Sequence, residues 1–231
     1  MPDNEFMDYL TWPVEWRSRK SGAGLFHAVA TPVPALLAEG LPAEVGLLLP
    51  NRNSQPVELA IADRLAAGDG ARPALGLFMA NPFLKLDTVA AACQSASIEW
   101  IVNLPSVAQQ DSEFGQQLED VGLDLTGELR RLDALHARGL RTAAVVTDAE
   151  GAEKAIAAGA EVLIVLPRVS DFAAGFPSSR QRGTAIQLVR NALASSDWQG
   201  SVLGLGDATE AAHPALWPEG VDGLMIRPKA A

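Results

Sequence analysis

Apolar and polar positions follow two alternating patterns from residue 24 onward. Short runs rich in Val, Ile and Leu are separated by Ala-, Leu- and Glu-rich stretches whose apolar residues recur three and four positions apart. The first pattern is typical of parallel strands buried on both faces, and the second is typical of amphipathic helices. The predicted strands are 24–30, 44–50, 74–80, 99–105, 141–147, 161–167, 201–207 and 222–228. The predicted helices are 33–39, 56–67, 86–96, 126–138, 149–158, 180–195 and 208–217.

Eight strands alternating with helices predict an α/β protein with a closed (β/α)8 TIM barrel. A doubly wound open sheet is the alternative, but eight strands are many for it and no GxGxxG motif follows the first strand. No helix is predicted after the last strand, so we expect a barrel without its eighth outer helix. We assign 24–231 to the barrel and 1–23 to an N-terminal extension. Either this extension, with Trp12 and Trp16, or a neighbouring subunit would cover the last strand.

The connection after the fourth predicted strand, residues 106–125, is unusually long. Loops of this length are usually functional or contain a short helix of their own. Active sites of TIM-barrel enzymes lie at the carboxyl ends of the strands, so this connection would lie beside the site. We expect it to act as a lid that excludes water.

Charge and composition narrow the class of partner. The chain has 231 residues and a formal net charge of −10, which disfavours nucleic acid and anionic membranes because both need a basic surface. A small anionic metabolite stays possible, since a few local donors can hold it. No apolar run reaches the length of a membrane span, and the N-terminus lacks an apolar signal core. Cys93 is the single cysteine, which excludes an internal disulfide and suits a cytoplasmic protein.

The carboxyl ends of the predicted strands are rich in amides and arginines. The candidate substrate-binding residues there are Arg52, Asn81, Asn103, Ser106, Arg168 and Asp207. A guanidinium just beyond a buried strand can hold a carboxylate or phosphate by two parallel hydrogen bonds. Amides can orient a substrate and stabilise a developing enolate oxygen. His27, inside the first predicted strand, is a candidate proton donor or acceptor near pH 7.

Each of these candidates also has a structural interpretation. Asp148 and Asp207 each precede a predicted helix with a Glu in its first turn, which is the pattern of a helix N-cap. His27 is equally consistent with a buried core histidine, and strand-end arginines often form salt bridges at the rim of a barrel.

A longer motif lies in the middle of the chain. It begins with the strand end Asn103–Val107 and continues through Asp111, Phe114, Gln116, Leu118, Glu119, Gly122, Glu128, His136 and the Ala-Gly-Ala at 158–160. This order and spacing resembles the phosphoenolpyruvate hydrolase-like family, within the wider phosphoenolpyruvate mutase/isocitrate lyase superfamily. The resemblance implies a barrel with its site at the fourth strand, and it adds Asp111 and Glu128 to Asn103 and Ser106 as site residues.

The chain also departs from the family pattern. A glycine-rich loop after strand six is replaced by residues 169–183, and a His-Gly-Gly turn after strand seven is replaced by Leu-Gly-Leu-Gly-Asp. The superfamily binds Mg²⁺ through acidic residues near strands two to four, where this chain carries Asn and Arg. A hard cation prefers carboxylate oxygens, so we predict no metal site among these residues. The resemblance to the superfamily still leaves Mg²⁺ as the one cofactor to consider, although its carboxylate ligands are missing.

Two functions stay open. The first is an enzyme acting on a small oxo-acid or enol-phosphate-like carboxylate, by hydrolysis or by C–C or C–O cleavage. The strand-end arginines would hold the substrate, and His27, Asp111 or Glu128 would move the proton. The alternative is a catalytically degenerate barrel that serves as a binding, regulatory or assembly subunit. In either case an uncovered last strand and the apolar Trp pair predict a homo-oligomer, a dimer or larger.

Overall fold

Seven mutually parallel strands and one antiparallel strand close a barrel in the described part of the chain. The structure is a computed structural model that describes residues 9–17, 25–32 and 72–228. The strands, in barrel order, are β1 (Tyr9–Trp16), β2 (Ala28–Pro32), β3 (Pro73–Gly76), β4 (Trp100–Val102), β5 (Arg141–Val146), β6 (Val162–Val165), β7 (Ser201–Gly206) and β8 (Gly223–Ile226). The predicted α/β class and closed barrel are therefore confirmed, although the set of strands differs in one place.

The helices lie between the strands in the order expected. They are α1 (Leu86–Ser95), α2 (Ser112–Asp120), α3 (Leu125–His136), α4 (Ala149–Ala157), α5 (Ser179–Leu193) and α6 (Ala208–Ala212). Short 3₁₀ turns cover Val107–Gln109, Val169–Phe172 and Pro214–Leu216. The long connection after the fourth predicted strand contains a 3₁₀ turn and α2, as its length suggests. The predicted helix 208–217 is instead α6 followed by a 3₁₀ turn, because Pro214 lacks the N–H that would continue the helix.

The first strand is the place where the prediction is wrong. Residues 9–16, assigned to an extension outside the barrel, form β1, which pairs antiparallel with β2 on one side and with β8 on the other. The barrel therefore begins before residue 24. Trp12 and Val14 are buried in the barrel interior, whereas the residues that alternate with them are exposed. A strand with one polar face needs no helix over it, which explains how an antiparallel strand fits into the wall.

Strands β2 and β3 are direct neighbours in the barrel, with Ala28 opposite Pro73. With β1, the described strands complete an eight-stranded barrel. The predicted strand 44–50 would have stood between these two neighbours. That segment and the predicted helices 33–39 and 56–67 lie outside the described residues.

The last strand is covered. One edge of β8 pairs with β1, and Leu224 and Ile226 are buried in the layer between the strands and the helices, together with Trp217 and Val221. The predicted homo-oligomer was based partly on an uncovered last strand, and that premise does not hold. The oligomeric state itself stays a prediction.

The apolar core has two layers. An outer layer lies between the strands and the helices, and an inner layer fills the barrel. Leu104, Leu166 and Phe172, which follow β4 and β6, belong to the inner layer and are buried. Among the described residues, the polar side chains of the strand ends therefore surround an apolar centre.

Candidate functional site

A buried polar network lies at the carboxyl end of β4. Its members Asn103, Ser106 and Glu128 are all fully buried. The Ser106 hydroxyl donates to Glu128 Oε2 at 2.6 Å, and Asn103 Nδ2 donates to the same oxygen at 2.9 Å. The backbone N–H of Val107 donates to Glu128 Oε1 at 3.1 Å. The structure thus brings together three residues that the sequence motif contains, two at the strand end and one on α3.

Local sequence explains how Glu128 reaches the strand end. Asp124 begins α3 as its N-cap, accepting a hydrogen bond from Gly127 N at 2.6 Å, so Glu128 lies in the first turns of the helix beside the end of β4. Asn103 fixes the network from the other side, since its Oδ1 accepts from Val145 N of β5 at 2.7 Å. The network therefore ties β4, β5 and α3 together.

The buried position of Glu128 changes its acidity. Burial raises the pKa of Glu128 from 4.5 to about 7, although the hydrogen bonds from Ser106, Asn103 and Val107 favour the charged form and limit the rise. Strongly perturbed carboxyl groups are frequent at functional sites. A fully buried side chain cannot touch a ligand in solution, however, so Glu128 does not contact substrate in this arrangement.

An ion pair joins the ends of β5 and β6. Arg168 Nη2 donates to Asp148 Oδ2 at 3.0 Å, and the two side chains are 43% and 47% exposed. Asp148 is also the N-cap of α4, accepting from Gly151 N at 2.9 Å. Partial burial would raise the pKa of Asp148, but the hydrogen bonds from Gly151, Arg168 and Thr147 outweigh it and lower that pKa. The N-cap interpretation of Asp148 is correct, and the carboxylate also holds the guanidinium.

A polar cleft of about 340 Å³ opens between the β4 loop and the start of α4. Asp111 and Arg168, two of the predicted site residues, both line it. Its wall also includes Gln110, Thr126, Glu150 and Lys154. Lys154 forms an ion pair with Glu150 at 2.7 Å, so both cations of the cleft have an acidic partner close by.

The carboxylates of Asp111 and Asp207 begin helices. Asp111 Oδ1 accepts from Glu113 N and Phe114 N at the start of α2. Asp207 Oδ1 accepts from the first N–H groups of α6 in a capping box, which confirms the N-cap interpretation. Asp207 does not line the cleft that contains Asp111 and Arg168.

The remaining candidates do not join this cleft. His27 is exposed just before β2, at the amino end of the parallel strands, which is the end opposite the cleft. The expectation that it lies inside a strand is wrong because β2 begins one residue later. The side chain of Asn81 accepts from Phe83 N at 2.9 Å and closes a local turn. Arg52 lies outside the described residues.

Comparison with known proteins identifies the family. The family model described as "Phosphoenolpyruvate hydrolase-like" matches residues 37–192, about two thirds of the chain. The chain belongs to this family. The matched region includes the buried network, the Asp148–Arg168 pair and the cleft.

One curated relative and two solved structures show how far the likeness extends. The "Uncharacterized protein y4oT" of Sinorhizobium fredii is 34% identical over 96 residues, which is 42% of this chain and 49% of that protein. This chain therefore spans about half the length of that relative. FabK from Thermotoga maritima, as an M276A variant, matches with a TM-score of 0.46 and 13% identity over 75% of this chain and 49% of its own. Nitroalkane oxidase from Streptomyces ansochromogenes matches with a TM-score of 0.44 and 16% identity over 75% of this chain and 54% of its own.

Among the described residues, the side chains at the end of β4 do not offer the free oxygen ligands that Mg²⁺ needs. Both oxygens of Glu128 already accept from N–H or O–H groups, and Asn103 is held by Val145. Nowhere in 9–17, 25–32 and 72–228 do three His, Cys, Asp or Glu side chains come together as metal ligands. A hard cation would need several free carboxylate oxygens at one point. Within the same ranges, no helix has the length and apolar character needed to cross a membrane.

Sequence reasoning missed two buried or half-buried arginines of this family member. Arg182 on α5 forms a buried ion pair with Glu210 at 2.6 Å and donates to the carbonyl oxygens of Pro177 and Leu205. Arg131 on α3 donates to the carbonyl oxygens of Met79 and Asn81. Both lie within helical patterns, where an arginine usually marks the solvated face. The sequence did contain one indication of the partner of Arg182. The capping box that begins at Asp207 places Glu210, which pairs with Arg182, beside the end of β7.

Proposed function

We propose that this protein is an enzyme that acts on a small oxo-acid or enol-phosphate-like carboxylate, by hydrolysis or by C–C or C–O cleavage. The observation that carries the proposal is the cleft at the carboxyl ends of the strands, which gathers Arg168 and Asp111 in about 340 Å³. Ligand pockets of about 300–1,000 Å³ are typical for small molecules, and this cleft lies at the lower end of that range. Membership of the phosphoenolpyruvate hydrolase-like family supports the same kind of substrate.

Arg168 is the residue that would hold the carboxylate. One of its guanidinium nitrogens donates to Asp148, and the side chain is still 43% exposed. The ion pair therefore restrains the guanidinium of a side chain that lines the cleft. A carboxylate could then accept two parallel hydrogen bonds, which is the geometry that arginine favours.

Asp111 is the residue that would move the proton. Its Oδ1 is held by two backbone N–H groups of α2, so the carboxylate has a fixed position in the wall of the cleft. The second oxygen is available to accept a proton from a bound substrate or from an attacking water. A general base needs to lie within hydrogen-bond reach of the proton that it removes.

A binding or assembly role is the second candidate, and specific observations favour it. Both cations of the cleft already have acidic partners, Asp148 for Arg168 and Glu150 for Lys154. Leu104 and Phe172 belong to the apolar interior of the barrel rather than to an open mouth. A barrel with a weakly cationic rim and a filled interior could serve as a regulatory subunit without catalysis.

Binding and turnover measurements separate the two roles. Wild-type protein is titrated with pyruvate, oxaloacetate and phosphoenolpyruvate by calorimetry, and product formation is followed by NMR. We expect at least one acid to bind at millimolar concentration or tighter. Loss of a charge-assisted hydrogen bond costs about 1.5–3 kcal/mol, so Arg168→Ala should weaken binding by roughly 10- to 150-fold. Arg180→Ala, on the exposed surface of α5, is the matched control and should bind like wild type.

The outcomes are distinct. Turnover that Asp111→Asn abolishes, with binding retained, supports the enzyme. Binding without turnover supports the regulatory subunit. If none of the three acids binds, or if Arg168→Ala binds as tightly as Arg180→Ala, the proposal is wrong.

A further inference from the structure

Helix α3 contacts the ends of two neighbouring strands through side chains one turn apart. Glu128 accepts from Ser106, Asn103 and Val107 at the end of β4, and also from the backbone of Ala80 after β3. Three residues further along the helix, Arg131 donates to the backbone carbonyl of Asn81 at 2.6 Å and to that of Met79. One helix thus holds the loops after both β3 and β4.

We propose that Glu128 and Arg131 are positioning residues of α3: Glu128 sets the shape of the cleft by holding the β4 loop against the helix, and Arg131 holds the β3 loop against the same helix. The inference rests on the proposed function only in taking the cleft as the substrate site. The holding role itself concerns loop geometry and can be measured without any ligand.

The path from Glu128 to the cleft is short. Val107, whose N–H donates to Glu128, is the first residue of the 3₁₀ turn, and it lines the cleft together with Gln110 and Asp111. The Ser106 hydroxyl accepts from Ala108 N at 3.2 Å, so the next residue of the turn is also held through the network. Glu128 is fully buried and acts on the cleft wall only through these bonds.

The groups that face Glu128 from the β3 and β4 loops are an amide, a hydroxyl and backbone N–H groups, none of which titrates near neutral pH. On its own helix, the N-cap Asp124 lies about one turn before Glu128 and Arg131 lies about one turn after it, and Arg131 is bonded to carbonyl oxygens of the β3 loop. The contacts of Glu128 are therefore all hydrogen-bond donors, which an ionised carboxylate satisfies.

The test is amide hydrogen exchange followed residue by residue. Glu128→Gln keeps the size of the side chain and replaces one acceptor oxygen with an NH₂ group. We expect exchange protection at Val107 and Ala108 to fall about tenfold or more, because the bond to a charged acceptor is lost. Amides of β7 should keep their protection. Glu153→Gln, an exposed change on α4, is the matched control. Unchanged protection at Val107, or an equal loss at every amide, would overturn the proposal.

Two further measurements keep the proposal testable if Glu128→Gln does not fold. In wild type, protection at Val107 should be higher at pH 6 than at pH 8, because an opening that exposes Glu128 to water becomes easier once the buried carboxyl ionises. A flat profile would contradict the role of Glu128. Arg131→Ala should reduce protection at the amides of Asn81 and Leu84, which form the turn after β3. The adjacent exposed Arg130→Ala should not, and equal effects of the two changes would overturn the role of Arg131.

Ligand titration separates this inference from the proposed function. An acid that binds wild type and binds more weakly to Glu128→Gln, with loosened Val107, supports the positioning role. Equal affinity despite a loosened Val107 shows that the loops do not shape the site, and overturns it. If pyruvate, oxaloacetate and phosphoenolpyruvate all fail to bind wild type, the proposed function fails, and the exchange data alone then decide whether Glu128 and Arg131 hold the loops.

Discussion

The buried carboxyl of Glu128 should make the stability of this protein fall as the pH rises. Its pKa is raised from 4.5 to about 7 in the folded state, so the folded protein binds the proton more tightly than the unfolded chain. This contribution to the free energy of unfolding is fully present below pH 4.5 and is lost as the pH passes through 7. The complete shift corresponds to roughly 3 kcal/mol, most of which falls between pH 5 and pH 8.

Glu128→Gln removes this titration and leaves the other ionisable groups in place. Urea unfolding of wild type and variant, followed by tryptophan fluorescence at pH 5, 6, 7 and 8, gives both free energies of unfolding. We expect the difference between the two proteins to change by about 2–3 kcal/mol over this range, in favour of the variant at high pH. Glu153→Gln serves as the control and should run parallel to wild type. The titration of distant groups affects both proteins equally and cancels when their free energies of unfolding are subtracted. If that difference stays constant within about 0.5 kcal/mol from pH 5 to pH 8, the reasoning is refuted.

Three further predictions concern stability and are measured by thermal or urea unfolding. Asp148→Ala should cost about 1 kcal/mol through loss of the N-cap, and Asp148→Asn should recover most of it, since Asn caps helices well; equal losses would contradict the cap. Gly76→Ala should cost about 1–3 kcal/mol, because a Cβ there would lie 2.5 Å from a side-chain atom of β2. Glu210→Ala should cost about 3–5 kcal/mol by leaving Arg182 buried without its charge partner, and clearly less in an Arg182→Met background.

The parallel strands β5 to β8 could be predicted from sequence because each is an apolar run bounded by turn residues and buried on both faces. Strand β1 could not be predicted in this way. Buried and exposed residues alternate along it, because only one of its faces packs into the barrel, and Pro13 stands in the middle of this short pattern. Alternation over so few residues, in an acidic segment, is as typical of an extension as of a strand. Only the pairing with β2 and β8 decides the matter, and that pairing is a long-range contact.

Sequence could predict the part of the site whose residues are close together along the chain. Asn103 and Ser106 lie three positions apart at one strand end, and their hydrogen bond at 3.2 Å follows from that spacing. Glu128 lies on the next long helix, and only the family resemblance placed it near them. Arg131 stayed hidden because its partners are backbone carbonyls, which no side-chain pattern reports.

The antiparallel pairing of β1 with β8, which closes the barrel, has a consequence for how the protein folds. Each parallel pair from β3 to β8 joins strands that are near in sequence, whereas β1 meets β8 with Trp16 opposite Gly223, more than 200 residues away. Bringing such distant segments together costs more chain entropy than any neighbouring pair, and long-range pairing slows folding. We expect the closure of β1 against β8 to be the last and slowest step. Until it occurs, the free edges of β1 and β8 can pair with other chains, so aggregation during refolding should depend on how fast β1 reaches β8.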